Sequence, residues 1–167
     1  SGVGKSALVN EIQKPLVEAR GYFCAGKFDQ LLSVPYGAFL QAFQELIRQI
    51  LSENEEQIAA WRERILAAVG PSGQVISGVI PEVARIIGPQ PPVPTLGPSE
   101  SENRFNLVFS SFVDAFARKE HPLALFLDDL QWADSGSLNL MQLLLKNADK
   151  RCRSEEHTSE LQSPLNI

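Results

Sequence analysis

Residues 123–129 read LALFLDD, five apolar residues followed by two aspartates. A short apolar run of this kind is typical of a strand that is buried on both faces of a parallel sheet. A pair of carboxylates directly after such a strand is costly to bury without a ligand. The stretch therefore predicts a buried parallel strand that ends at a ligand site. The simpler alternative is a turn with one capping and one solvated aspartate.

The first six residues, SGVGKS, match the second half of the phosphate-binding pattern G-x-x-x-x-G-K-[ST]. Gly2 and Gly4 allow a turn whose backbone N–H groups face phosphate oxygens, and the dipole of the following helix favours the same anion. Lys5 is expected to reach the outer phosphates, and Ser6 to offer a hydroxyl to Mg²⁺. Taken alone, the segment is also compatible with an ordinary glycine-rich helix cap. The predicted nucleotide-binding residues are Gly2, Val3, Gly4, Lys5, Ser6 and Ala7.

The acidic pair and the glycine-rich segment support each other. P-loop NTPases hold their metal with an acid at the end of an apolar strand, and an adjacent acid can act on the attacking water. We therefore assign Asp128 to Mg²⁺, through water, and Asp129 to the attacking water. The predicted catalytic residues are Asp129 and Lys5, and the predicted metal ligands are Ser6 and Asp128.

The segments between these motifs alternate between strand and helix patterns. We expect a strand over 21–28 and helices over 5–20 and 37–52. Ser52 and Ser99 each lie three residues before a glutamate, which predicts capping boxes for two more helices. Residues 88–98 contain five prolines and predict a stiff connection. This order of elements predicts an α/β fold with a parallel sheet.

Apolar spacing also predicts which helix faces are buried. One stripe of four phenylalanines is expected to belong to the core rather than to a cofactor site: Phe105, Phe109, Phe112 and Phe116. Asp134 is expected to cap a final helix. That helix is expected to run through Leu138, Met141, Leu145 and Ala148.

Several other polar residues are assigned structural roles. Lys27 and Asp29, at and after the end of the first predicted strand, are expected to lie on the surface. Arg104 is expected to pair with Glu100 or Glu102 on its own helix. Cys24, in an aromatic strand, is expected to be a buried and unreactive thiol.

The composition fits a single soluble globular domain of 167 residues, with 44% hydrophobic and 21% charged residues. A net charge of −5 gives no general reason to bind nucleic acid or anionic lipid. Its apolar runs fall far short of the roughly 18 residues that suggest a membrane span. Two cysteines are too few for a disulfide framework, and the sequence opens without a signal-peptide pattern, so we predict a cytoplasmic protein.

Both ends are expected to be unnatural boundaries. The chain begins inside the phosphate-binding motif, so the first motif glycine and the strand before it are expected to lie upstream. Residues 153–163, RSEEHTSELQS, resemble the in-frame translation of a sequencing-library adapter, with an acidic solvated tail as the alternative. We therefore expect a partial P-loop domain over 1–152 and a non-native tail over 153–167.

GVGKS and LFLDDLQWAD resemble the STAND branch of the AAA-related P-loop ATPases. Four further segments resemble the ATPase domain of bacterial, cyanobacterial-type hybrid serine/threonine kinase–histidine kinases: GYFCAGKFDQ, PYGAFLQAFQELIRQIL, IPEVARIIGPQPPVP and ENRFNLVF. The resemblance covers residues 1 to about 149. It implies a three-layer P-loop fold, truncated at both ends, of which this chain holds the second and third strands. It also implies ATP and Mg²⁺ as ligands, and attached kinase, GAF and histidine-kinase domains as partners.

By resemblance, Lys5 belongs to the Walker A motif and the acidic pair to Walker B. Trp132 and Asp134 match the family's QWAD, for which we derive no role from physics. The resemblance implies an ATP-hydrolysing switch domain that is a poor ATPase as this chain alone. Two alternatives stay open: a scaffold that binds nucleotide without turnover, and a DNA-associated AAA+ ATPase of the origin-recognition type. The second would need basic elements downstream, since this stretch shows none.

Overall fold

The computed structural model of the chain describes residues 2–31 and 34–161. Within these ranges the order of elements is α1 (Gly2–Glu18), β1 (Tyr22–Lys27), α2 (Gly37–Leu51), α3 (Glu55–Val69), α4 (Gly73–Ser77), α5 (Ala84–Ile87), α6 (Pro98–Phe116), β2 (Leu123–Asp128) and α7 (Ser135–Leu161). Short 3₁₀ turns occupy Gly70–Ser72, Pro81–Val83 and Leu130–Trp132. None of the described helices has both the length and the apolar character needed to cross a bilayer.

The two strands form a parallel pair, which confirms the predicted α/β class with a parallel sheet. Tyr22 lies opposite Leu123 at one end of the pair, and Lys27 lies opposite Asp128 at the other. Because the strands are parallel, their carboxyl ends share one edge. This register places the last residue of β1 beside the acidic pair that follows β2. The three-layer P-loop architecture stays a prediction.

Helix α2 packs directly on β1. An added Cβ at Gly26 would lie 1.8 Å from the backbone oxygen of Ala38, so the strand and the helix approach as closely as glycine permits. The inward face of α2 is buried and consists of Ala38, Phe39, Ala42, Phe43, Leu46, Ile47 and Ile50. This contact fixes the end of β1 relative to the helical core.

The predicted phenylalanine stripe is confirmed as core. Phe109, Phe112 and Phe116 are fully buried, and Phe105 packs against them as a partly buried residue. The ring of Phe43 on α2 lies 5.2 Å from that of Phe109, at an interplanar angle of 79°. Such edge-to-face pairs add to the free energy gained from burial. The core therefore lies among α2, α3 and α6, on the helical side of the molecule, and α4 and α5 also contribute buried residues.

The prediction that β2 is buried on both faces is wrong. All six of its residues are partly exposed. The burial of a strand depends on its neighbours, and within the described residues only β1 pairs with β2. Helix α1 gives limited cover, since its Leu8 is itself 50% exposed.

Both predicted capping boxes are also wrong. Asn54, not Ser52, caps α3, and its Oδ1 accepts from the backbone N–H of Gln57 at 2.9 Å. Ser52 instead closes α2, where its hydroxyl donates to the carbonyl of Gln49. Helix α6 begins at Pro98, which needs no hydrogen bond at a first helical position and so precedes the predicted cap. The rest of the proline-rich segment is an irregular connection, as predicted.

Asp134 caps α7 as predicted, and the helix runs through all four predicted residues. Leu138 and Leu145 are 43% and 63% exposed, whereas Leu140 is fully buried. The run NLMQLLLK over 139–146 offers more than one apolar face, and packing against α6 selects among them. The helix continues to Leu161, across the boundary predicted at 152, and residues 162–167 of the predicted tail lie outside the described residues.

Candidate functional site

The predicted phosphate-binding turn differs from the structure. Gly2 and Gly4 belong to the first turn of α1 rather than to a separate loop. Glycine adopts helical angles as well as left-handed ones, so the same residues are compatible with both conformations. The first N–H groups of a helix have no partner within the helix, so this end retains donors suited to an anion. Lys5 follows one residue after Gly4.

Lys5 meets the acidic pair after β2. Its Nζ lies 2.6 Å from Oδ1 of Asp128 and 3.9 Å from Oδ1 of Asp129. The hydrogen bond from Lys5 lowers the pKa of Asp128, and the same bond raises the pKa of Lys5. The Lys5 side chain is 50% exposed, so solvent and solutes reach this ion pair. The structure thus brings together three of the residues that the sequence assigned to nucleotide chemistry: Lys5, Asp128 and Asp129.

The backbone turns sharply at Asp129. This residue has a left-handed conformation, with φ 56° and ψ 47°, which aspartate tolerates better than most residues. Its N–H donates to Oδ1 of Asp128 at 2.8 Å, and its own Oδ1 accepts from Nε2 of Gln131 at 3.3 Å. The turn lets two consecutive carboxylates lie within 4 Å of one ammonium group.

Lys27 is the site residue that the sequence analysis missed. Its side chain is 65% exposed, as predicted for a surface residue, yet its Nζ lies 3.4 Å from Oδ2 of Asp129. Its backbone N–H donates to Oε1 of Gln41 on α2 at 3.0 Å. The available signal was its place as the last residue of a strand, since parallel strands end at one edge. Asp29 accepts from the N–H of Leu31 and is exposed.

The other predicted ligands lie on α1. Ser6 and Ala7 are exposed, next to Lys5 in the sequence, and the Val3 side chain lies outside the described part of the chain. The described residues contain no group of three or more His, Cys, Asp or Glu side chains that could hold a metal by themselves. Mg²⁺ commonly takes one or two carboxylates and completes its shell with substrate phosphates and water. Two aspartates at a strand end, with a serine after Lys5, fit that donor set.

A cleft of about 440 Å³ opens beside Lys27. It lies between α2 and the segment after β2, and its walls include Lys27, Gln41, Trp132 and Asp134. Trp132, for which the sequence suggested no role, is 46% exposed at this cleft. The cleft lies at the carboxyl edge of the strands, where parallel sheets bind their ligands.

Asp134 joins the start of α7 to the start of α2. Its Oδ1 accepts from the N–H of Ser137 at 2.9 Å, while its Oδ2 accepts from the Ser137 hydroxyl at 2.6 Å and from the N–H of Tyr36 at 3.3 Å. Burial raises the pKa of Asp134, but these hydrogen bonds outweigh it and the pKa falls below its ordinary value. Asp134 is therefore a structural tie as well as a cap.

Two further residues lie away from the site. Nη1 of Arg104 donates to the carbonyl of Pro94 at 2.6 Å, so the predicted pairing with Glu100 or Glu102 is wrong. The proline-rich connection passes close to Arg104 and offers it a carbonyl. Cys24 is buried, and burial raises the pKa of its thiol to about 12, in agreement with an unreactive cysteine.

Comparison with known proteins identifies the family. Residues 1–154 match the family model described as the AAA ATPase domain. The chain belongs to this family. The chain is also 40% identical, over 147 residues, to "Hybrid signal transduction histidine kinase G" of Dictyostelium discoideum. That alignment covers 88% of the chain and 4% of the relative.

No solved structure matches this AAA ATPase domain. Membership of the family supports nucleotide binding and an ATPase role, because AAA ATPase domains generally bind ATP with Mg²⁺. The relative's name describes that protein as a signal transduction histidine kinase. The predicted bacterial type of hybrid kinase stays a prediction.

Proposed function

We propose that the chain is an ATP- and Mg²⁺-binding switch domain that hydrolyses ATP within a multidomain signal-transduction protein. The observation that carries this proposal is the 2.6 Å contact between Lys5 and Asp128. It unites the glycine-rich segment at one end of the sequence with the acid at the end of β2. The family match and the relative's name support the same conclusion.

Each residue of the site has a role in this proposal. The first backbone N–H groups of α1 and the Lys5 ammonium bind the phosphates, while Ser6 and Asp128 hold Mg²⁺. When bound, the metal neutralises phosphate charge and orients the terminal phosphate. Asp129 orients the attacking water and accepts its proton. Because Lys5 is half-exposed, it can exchange Asp128 for a phosphate oxygen without opening the core.

The switch acts on attached domains. A nucleotide shifts a conformational equilibrium only as far as its affinities for the two states differ. We place the domain in the cytoplasm, joined to kinase, GAF and histidine-kinase domains. The chain spans 4% of the curated relative's length, so these partners are part of the proposal.

Calorimetric titration with Mg-ATP tests the binding step. Lys5→Ala should weaken Mg-ATP binding by about tenfold or more, the worth of charge-assisted hydrogen bonds to phosphate. Lys14→Ala is the matched control, since it removes the same charge from the same helix, outside the site. Equal affinities for the Lys5 and Lys14 variants would contradict the assignment.

Phosphate release by the intact protein tests hydrolysis separately. Asp129→Asn should abolish release and leave Mg-ATP binding in place, because the amide cannot accept the proton of the attacking water. Unchanged release would instead favour the scaffold that binds nucleotide without turnover.

A further inference from the structure

The two carboxylate oxygens of Asp129 have different partners. Oδ1 accepts from Gln131 at 3.3 Å and has Lys5 at 3.9 Å. Oδ2 lies 3.4 Å from Nζ of Lys27. The nearer lysine to Asp129 is therefore the one on β1, while Lys5 lies against Asp128.

Lys27 is held in place by its backbone. It is the last residue of β1 and lies opposite Asp128, and the N–H of Phe28 donates to the Asp128 carbonyl at 3.1 Å. On the helix side, Gln41 accepts from its N–H at 3.0 Å. The preceding Gly26 packs against the backbone of Ala38. The ammonium group thus extends from a fixed point at the edge of the site.

The pair of Lys27 and Asp129 contributes little to folding. Lys27 is 65% exposed, and exposed ion pairs of this kind contribute little to stability. The contact with Lys27 bears more on the orientation of the Asp129 carboxylate, because Asp129 follows the strand in a left-handed conformation. A general base must be aimed at the proton it takes, and misplacement by about 1 Å can reduce rates a hundredfold.

We propose that Lys27 is a positioning residue whose ammonium group holds the Asp129 carboxylate in the orientation that accepts the proton of the attacking water. The inference rests on the proposed function of the same site. Lys5 is needed at the phosphates during the reaction, and Lys27 then remains as the cation beside Asp129. Lys27 acts through Asp129 and has no contact with the nucleotide in this role.

The test compares Lys27→Met and Lys27→Arg in the intact protein, with Lys14→Met as the matched control. Steady-state phosphate release gives kcat and KM, calorimetry gives Mg-ATP affinity, and thermal unfolding reports stability. For Lys27→Met we expect kcat to fall about tenfold to a hundredfold, with KM, affinity and Tm close to those of the parent protein. Lys27→Arg should restore most of kcat, because it returns a cation to the same oxygen.

Other outcomes overturn the inference and show which step fails. A raised KM with unchanged kcat would make Lys27 a nucleotide-binding residue. A fall in Tm that accounts for the lost activity would make it structural. If Asp129→Asn abolishes phosphate release and Lys27→Met does not change it, the inference alone fails. If Asp129→Asn also leaves release unchanged, the proposed hydrolytic function has failed first.

Discussion

The Nζ atom of Lys5 and Oδ1 of Asp128 lie 2.6 Å apart, although 123 positions separate them in the sequence. In this arrangement Asp128, the acid predicted to hold Mg²⁺, is paired with Lys5, the cation predicted to bind phosphate. The two groups must separate before either meets its ligand, so the ion pair competes with nucleotide. This competition has a measurable consequence.

Asp128→Asn should bind ATP more tightly than the parent protein when Mg²⁺ is absent. Removing the carboxylate frees Lys5 and removes a negative charge near the phosphates. Exposed ion pairs are weak, so we expect the affinity to rise by no more than about fivefold. Titration of a fluorescent ATP analogue in EDTA measures this change, and repeating it with Mg²⁺ should show little metal dependence in the variant.

Asp149→Asn is the control for overall charge, since this exposed aspartate lies on α7 outside the site. Equal metal-free affinities for the two variants would mean that net charge, not the ion pair, sets the affinity. A lower affinity for Asp128→Asn would show that the carboxylate assists phosphate binding.

Gly26→Ala should strongly destabilise the fold. The new methyl group would lie 1.8 Å from the backbone oxygen of Ala38, which no side-chain rotation can relieve. We expect a loss of more than about 2 kcal/mol in the free energy of unfolding, measured by urea denaturation. Gly37→Ala is the matched control, because its methyl would meet Val34 at an ordinary 3.6 Å. Equal losses in both variants would refute the close contact between β1 and α2.

The pKa of Asp134 predicts how stability depends on pH. Its folded pKa lies below the ordinary value of 3.8, so the ionised carboxylate stabilises the fold above that pH. This contribution should disappear as the pH falls through 3.8 toward the lower folded value. Asp134→Asn lacks the titrating group, so the difference in unfolding free energy between parent and variant should shrink on acidification.

Thermal or urea unfolding between pH 6 and pH 2.5 checks this difference. The other carboxylates are present in both proteins, so subtraction isolates Asp134. A constant difference across the range would mean that the hydrogen bonds from Ser137 and Tyr36 do not favour the ionised form.

The two cysteines should react at very different rates with a thiol reagent at neutral pH. Cys152 is exposed, whereas Cys24 is buried and burial raises its pKa to about 12. We expect one fast modification and one that is about a hundredfold slower or more, which becomes fast in urea. Cys152→Ser should remove the fast phase only. A fast phase that persists in this variant would place Cys24 at the surface.

Sequence patterns predicted the encounter of Lys5 with the acidic pair because each motif carries its own geometry. A phosphate-binding pattern leads into a helix, and an apolar strand delivers its carboxylates to the sheet edge. The only signal for Lys27 is its place at the end of a strand, and that signal is weak because a lysine there is common on any surface. Only the register between β1 and β2 places it beside Asp129.

The errors in the predicted fold have a common physical origin, which is competition between nearby candidates. Asn54 directly precedes α3 and caps it, whereas Ser52 lies two residues earlier in the sequence. The exposure of β2 depends on how many strands lie beside it, and the sequence of β2 itself does not encode the number of its neighbours.

The left-handed backbone at Asp129 and the proposed role of its carboxylate each limit which residues this position can accept. A β-branched or bulky residue there would strain the turn by about 1–2 kcal/mol, whatever its chemistry. Asparagine keeps the backbone and loses the charge, so the hydrolysis-defective variant should fold normally. Glutamate keeps the charge and strains the turn. An assay of folding should therefore rank substitutions at this position by how well they adopt the left-handed conformation. An assay of turnover should rank them by whether they supply a carboxylate. The two assays should thus rank the same residues differently.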